Sequence, residues 1–107
     1  MPSPSLRPLA AALLDIREHA AMVRFLSEML TPAERADLAL RWELLGMLHA
    51  GVPQREIARR LGISLCKITR GSRELRKRSS VARELLDRRA AARVVRPEPG
   101  RRWRPPR

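Results

Sequence analysis

QREIARRLGISLCKITRGSREL, residues 54–75 of a 107-residue chain, reads as two short amphipathic helices joined by a tight turn. Ile57, Leu61, Ile63 and Ile68 are apolar where two crossing helices share a core, and Ala58 is small where they cross. Gly62 falls at the turn, where a positive φ is commonly needed. Pro53 opens the first helix and Gly62 ends it. Ser64 is placed to cap the second, which is predicted to run to about Lys77 with Lys67, Thr69, Arg70, Arg73 and Arg76 facing outward. The pattern, over about residues 54–76, is that of a helix-turn-helix. A recognition helix of this kind fits the major groove of DNA and reads base edges with its first turns, while arginines on its flanks hold phosphates. The plainer alternative is a helical hairpin with basic faces. Spacing, turn glycine, small crossing residue and charge together favour DNA.

Charge points the same way. The chain carries 23 Lys+Arg against 11 Asp+Glu, a formal +12 at pH 7, and only Lys67 and Lys77 are lysines. Residues 1–53 hold five basic and six acidic groups, net −1; residues 54–78 hold nine and two, net +7; residues 79–107 hold nine and three, net +6. A near-neutral first half followed by a basic second half is the layout of a scaffold joined to a polyanion-binding surface. Solvated arginine faces would explain a scattered excess, but explain a concentrated block less well. Apolar residues make up 44% and aromatics 3%, and the Ala-, Leu- and Arg-rich make-up favours helices over sheet.

Composition also excludes. The single cysteine, Cys66, rules out an internal disulfide and fits a reducing compartment. With two histidines, His19 and His49, a zinc site from this chain alone would need carboxylate ligands. No apolar run reaches membrane-spanning length, and residues 1–8 lack the regions of a secretory signal, so a cytoplasmic protein with no membrane partner is expected. No Ser-His-Asp set, metal-spaced cluster, phosphate-binding glycine loop or carboxylate pair in apolar surroundings stands out. An enzyme is therefore the weakest reading, and no metal or cofactor is expected.

Working outward from the motif, residues 1–8, with three prolines and two serines, are expected to form a disordered arm, and residues 9–91 the helical domain. Leu13, Ile16, Ala20, Val23 and Leu26 recur at three- and four-residue spacing, which predicts a helix over about Leu9 to Glu28, whole or in two pieces, with one apolar stripe. That stripe needs a partner, and the chain is short of elements to supply it. Thr31-Pro32-Ala33-Glu34 reads as a helix start, with Thr31 as cap, Pro32 in the first position and Glu34 completing a capping box. This helix is predicted to reach Ala50, with Leu38, Trp42, Leu45 and Leu48 or His49 on one side. Trp42 is expected in the core, Gly46 at a close helix approach, His49 near the negative helix end and Gly51 as the stop. Ser79-Ser80 breaks the chain before a last helix over about Val81 to Ala91. Residues 92–107, ending RPEPGRRWRPPR, are expected to be a disordered basic tail in which Trp103 is solvated. Cys66 is read as a small contact residue rather than a redox switch.

MLTPAERADLALRW (29–42), QREIARRLGIS (54–64) and ITRGS (68–72) together resemble the tryptophan repressor family. The resemblance covers about residues 9–90; its specific parts are the LTP-x-ER start and the ITRGS run. It implies an all-α, intertwined helical homodimer in which the N-terminal helices of each subunit wrap those of the other. Each subunit then carries one reading head, and the partner is a palindromic double-stranded operator DNA. It also implies L-tryptophan as corepressor. Arg41 and Arg70 would flank the indole, Arg70 would receive the carboxylate, and backbone carbonyls near Leu30 with Thr31 would take the ammonium group. Gly71 would let the ligand approach the recognition helix. Guanidinium planes do stack on aromatic faces and pair with carboxylates. The ligand would wedge the reading head into a DNA-competent angle, a population shift.

For DNA, the resemblance points to Gln54 and Arg55 on the first motif helix. On the second it points to Leu65, Cys66, Lys67 and Thr69, with Arg73 and Arg76 toward the end. Arg55 is the candidate for a direct base contact, since arginine matches guanine's two acceptors. Some positions depart from the family. Glu74 stands where a small hydroxyl helps hold the ammonium group, and Glu28 where an apolar residue is usual near the pocket mouth. Lys67 replaces a frequent hydroxyl residue, and the loop Gly51-Val52-Pro53 is one residue shorter than in the best-known members. Glu74, one turn beyond Arg70, either pairs with Arg70 and occupies its charge or pairs with the ligand's ammonium. Three functions compete: a tryptophan-gated repressor, a helix-turn-helix regulator that ignores tryptophan, and a basic adaptor for nucleic acid, acidic protein or anionic membrane.

Overall fold

The computed structural model describes residues 4–95 and, among them, six α-helices and no strand, so the all-α expectation holds. In chain order these are α1 (Arg7–Asp15), α2 (His19–Met29), α3 (Pro32–His49), α4 (Gln54–Leu61), α5 (Leu65–Arg76) and α6 (Val81–Val95). The chain divides into two compact units, residues 1–39 and 40–107, with the division inside α3.

In the first unit α1 begins at Arg7 rather than Leu9, so Arg7 and Pro8 belong to a helix and not to the expected arm. The Arg7 amide donates to Ser5 Oγ at 3.1 Å, and Pro8 sits in the first turn, where its fixed φ suits a helix and its missing N–H costs nothing. Ile16 is extended and ends α1, and α2 starts at His19, so the stripe runs over two helices. Leu13, Ile16 and Leu26 are half-buried, whereas Ala20 and Val23 are exposed, and neither helix buries a residue fully. Leu14 is 83% exposed. The apolar surface of α1 and α2 thus stays largely open in one copy of the chain.

The start of α3 follows the sequence closely. The Thr31 amide donates to Glu34 Oε1 at 2.8 Å, and the Glu34 amide donates to Thr31 Oγ1 at 3.2 Å. This reciprocal pair satisfies two amides that the helix itself cannot. The same bonds hold the Glu34 carboxyl below its ordinary pKa, the Thr31 amide being the larger cause. Thr31→Ala is therefore expected to lower stability by about 1 kcal/mol, read as a shift in the urea midpoint at unchanged m-value.

The second unit is built around Leu44, Ile57 and Ile68, with Met47, Leu48, Val52, Ala58, Leu61 and Ile63 packed against them. Gly51, at φ 84, lets the chain leave α3, with the Val52 amide bonding back to the Met47 carbonyl at 3.0 Å. Gly62, at φ 63, caps α4 in the left-handed conformation that a turn between two packed helices needs. Gly71 is buried: a Cβ there would lie 3.3 Å from Leu44 Cδ2 and 3.4 Å from Leu45 Cδ2 and Leu48 Cδ1. The bare backbone at Gly71 lets α5 lie close on α3. The close approach expected at Gly46 is not made there, since nothing lies within 4 Å of its Cβ position. Trp42 is also not in the core of this chain, being 40% exposed; the few elements of the unit cover only part of α3.

Two contacts tie α6 to the rest of the second unit. Ser80 Oγ accepts from the Arg83 amide at 3.1 Å, and the Arg83 guanidinium donates to the carbonyls of Leu75 at 3.2 Å and Arg78 at 3.0 Å. His49 Nε2 meets Asp87 Oδ1 at 2.6 Å, joining the end of α3 to α6. The last helix runs to Val95, so residues 92–95, expected in the tail, are helical. Residues 96–107, including Trp103, lie outside the described residues, as do residues 1–3 of the expected arm.

Candidate nucleic-acid interface

Each of α4 and α5 has one core side and one solvent side. On α4, Ile57 is buried and Ala58 and Leu61 are half-buried, which leaves Gln54, Arg55, Arg59 and Arg60 exposed. On α5, Ile68, Gly71 and Leu75 recur at three- and four-residue spacing and are buried. The opposite side exposes Leu65, Cys66, Lys67, Thr69, Arg70, Arg73, Glu74 and Arg76. Every residue named from the sequence for DNA contact is thus solvent-exposed on α4 or α5.

Local bonds fix several of these side chains. Ser64 Oγ accepts from the Lys67 amide at 3.4 Å, a long but real N-cap that starts α5. Thr69 Oγ1 donates to the Leu65 carbonyl at 2.9 Å, so that hydroxyl is engaged with its own helix. Arg76 Nη2 donates to Ser72 Oγ at 2.9 Å. Glu74 Oε1 pairs with Lys77 Nζ at 3.0 Å. Neither sequence alternative for Glu74 describes this bond: its partner in the chain is Lys77, and Arg70 has no hydrogen bond or ion pair among the described residues.

The residues implied for ligand binding are divided between the units. Leu30, half-buried, and Thr31, exposed, are in the first. Arg41, Arg70, Gly71 and Glu74 are in the second. The contact of Gly71 with Leu44, Leu45 and Leu48 makes the α3 segment that carries Arg41 and the α5 segment that carries Arg70 neighbours. Arg41 and Arg70 are both exposed. Among the described residues no group of three or more His, Cys, Asp or Glu is arranged to hold a metal, and no helix is long and apolar enough to cross a membrane.

Sequence reasoning missed three features. Glu56 takes hydrogen bonds from both Arg59 and Arg60, which hold its carboxyl below the ordinary range, Arg59 being the larger cause. The signal was present, because an acid three and four residues before two arginines is a helical ion-pair spacing. Arg83 and the His49–Asp87 pair had no such signal, since their partners are set by how helices pack.

The family described as Trp repressor protein matches residues 4–90. A Trp operon repressor homolog of Vibrio parahaemolyticus is 34% identical over 79 residues, covering 73% of this chain and 74% of that protein. The Trp operon repressor homolog of Vibrio campbellii is 34% identical over 79 residues, 73% and 76% of the two chains. That of Actinobacillus succinogenes is 45% identical over 53 residues, 49% and 52% of the two. No solved structure matches significantly. With the family matching most of the chain and relatives aligned from the first helices through the basic ones, the chain belongs to the Trp repressor family.

Proposed function

We propose that the protein is a transcriptional repressor, not an enzyme, that binds a palindromic operator as a homodimer with L-tryptophan as corepressor. The observation that carries the reading is the solvent side of α5. It exposes Lys67, Arg70, Arg73 and Arg76 on a helix locked in place by Ile68, Gly71 and Leu75. A rigid helix with a basic outer side is what major-groove reading requires, and its arginines supply the salt-dependent share of affinity. Here α4 and α5 act as the helix-turn-helix, Gln54 and Arg55 contact the duplex from α4, and Leu65 and Cys66 present small apolar surface to it. The homodimer follows from the apolar residues that α1 and α2 leave open, which a second copy covers.

Tryptophan is supported by Arg41 and Arg70 on neighbouring helices, and by the absence of a partner for Arg70 among the described residues. Glu74, engaged by Lys77, leaves the Arg70 guanidinium open to a carboxylate. Glu74 is also what favours the second reading, a regulator that ignores tryptophan. Titrating tryptophan into the purified protein by calorimetry, while following a labelled palindromic duplex, tests the choice. The expected outcome is about one site per subunit and duplex binding that rises with tryptophan. Sequence-selective duplex binding without any tryptophan heat moves the function to the second reading. Binding that is indifferent to duplex sequence moves it to a basic adaptor.

A further inference from the structure

The cluster on the outer side of α4 has no part in the reading above. The Glu56 carboxylate accepts from Arg59 Nε at 3.3 Å and from Arg59 Nη2, and from Arg60 Nε at 2.8 Å. Ile57, Ala58 and Leu61 anchor the other side of the helix. The Arg59 and Arg60 side chains remain 72% and 56% exposed. Two guanidiniums on one carboxylate leave one net positive charge. Arg59 Nη1 and both Nη atoms of Arg60 make no hydrogen bond among the described residues. Exposed ion pairs of this kind add little to stability, so folding gives the arrangement no strong reason. It does restrict two rotamer-rich side chains before any partner arrives, and that lowers the ordering cost of binding. A guanidinium's planar fork of donors is matched to phosphate oxygens.

We infer that Arg59 and Arg60, held by Glu56, form a phosphate-contacting ridge on α4 that grips the DNA backbone beside the groove entered by α5. The inference rests on the DNA-binding reading. In a helix-turn-helix the first helix crosses the backbone while the second enters the groove. Only Gly62-Ile63-Ser64 separates α4 from α5, so a duplex on the exposed side of α5 comes within reach of α4. Arg59 and Arg60 are contact residues here and Glu56 is a positioning residue.

The test uses the full chain, a labelled duplex selected from a random pool, and a scrambled duplex of equal length, titrated over a range of salt. Arg59→Ala and Arg60→Ala are each expected to weaken both duplexes by a similar factor. Each should also flatten the slope of log K against log salt by about 0.9. Arg88→Ala, the same charge change on α6, is expected to move the slope by less than half as much. Arg59→Lys should keep the slope and still lose affinity, because charge is retained and the fork is not. Glu56→Gln should lower affinity for the selected duplex although it removes a negative charge; equal gains on both duplexes would show that Glu56 only subtracts charge and would overturn its positioning role. Wild-type binding with unchanged slopes in Arg59→Ala and Arg60→Ala, or equal slopes lost in all three alanine variants, overturns the ridge alone. A wild-type chain that binds neither duplex overturns the DNA reading and the ridge with it.

Discussion

Arg70→Ala is expected to abolish the response of operator binding to tryptophan and to weaken tryptophan itself by about 100-fold, close to 3 kcal/mol. Two contributions add to that figure. A charge-assisted bond from guanidinium to carboxylate is worth about 1.5–3 kcal/mol, and a guanidinium face on an indole about 0.5–2 kcal/mol. The side chain is open for both, since it has no partner among the described residues and Glu74 is held by Lys77. Its backbone is also well fixed. Ile68 is fully buried two residues earlier, and Gly71, the next residue, sits against three leucines of α3. A well-fixed helix presenting a free guanidinium has already met part of the cost of ordering that binding would impose. Calorimetry reads the first effect and a tryptophan titration of duplex binding reads the second. Arg70→Lys should restore only part of the affinity, because it keeps the charge and loses the fork. Unchanged tryptophan heat in Arg70→Ala would remove this residue from the ligand site and, with it, the main support for tryptophan as corepressor.

What was legible in the sequence was local. The capping box at Thr31, the left-handed turn at Gly62 and the Ser64 cap each depend on residues within one helical turn, and each stands as read. The glycines show where such reading stops. Gly46 and Gly71 both interrupt helices in sequence, and only the crossing of α3 with α5 decides that Gly71 is the one against leucine side chains. Trp42 has the spacing of a core residue, yet periodicity reports which side of a helix is apolar and not what covers it. The end of α6 was placed too early because Ala91 was taken as its limit. The run from Val81 holds no proline before Pro97, and alanine-rich sequence continues a helix readily. For the candidate site, the exposure of Lys67, Arg70 and Arg73 followed from helical periodicity. The engagement of Glu74 with Lys77 did not, since Arg70 and Lys77 both lie within one turn of it and geometry made the choice.

Ile68→Ala should produce the largest loss of stability of any single truncation in the second unit, about 2–5 kcal/mol. Ile68 and Ile57 are 0% exposed, and the other buried apolar residues of the chain are Leu44, Leu75 and Leu86. In so small a core there is little neighbouring material to collapse into the space a deleted side chain leaves. The cavity term therefore adds to the lost transfer energy. Small domains have only about 5–15 kcal/mol in total, so the variant is brought close to unfolding at ordinary temperature. Thermal unfolding is expected to fall by ~10 °C or more, taking about 4–8 °C per kcal/mol for a domain of this size. Ile68→Val, which removes one methyl, should cost about 0.5–1.5 kcal/mol. Leu65→Ala gives the contrast. Leu65 opens the same helix and is 52% exposed, so its truncation should leave unfolding nearly unchanged while weakening duplex binding. The two substitutions separate what holds α5 in place from what α5 presents. If Leu65→Ala lowered the unfolding temperature as far as Ile68→Ala, the division of α5 into a core side and a reading side would be wrong.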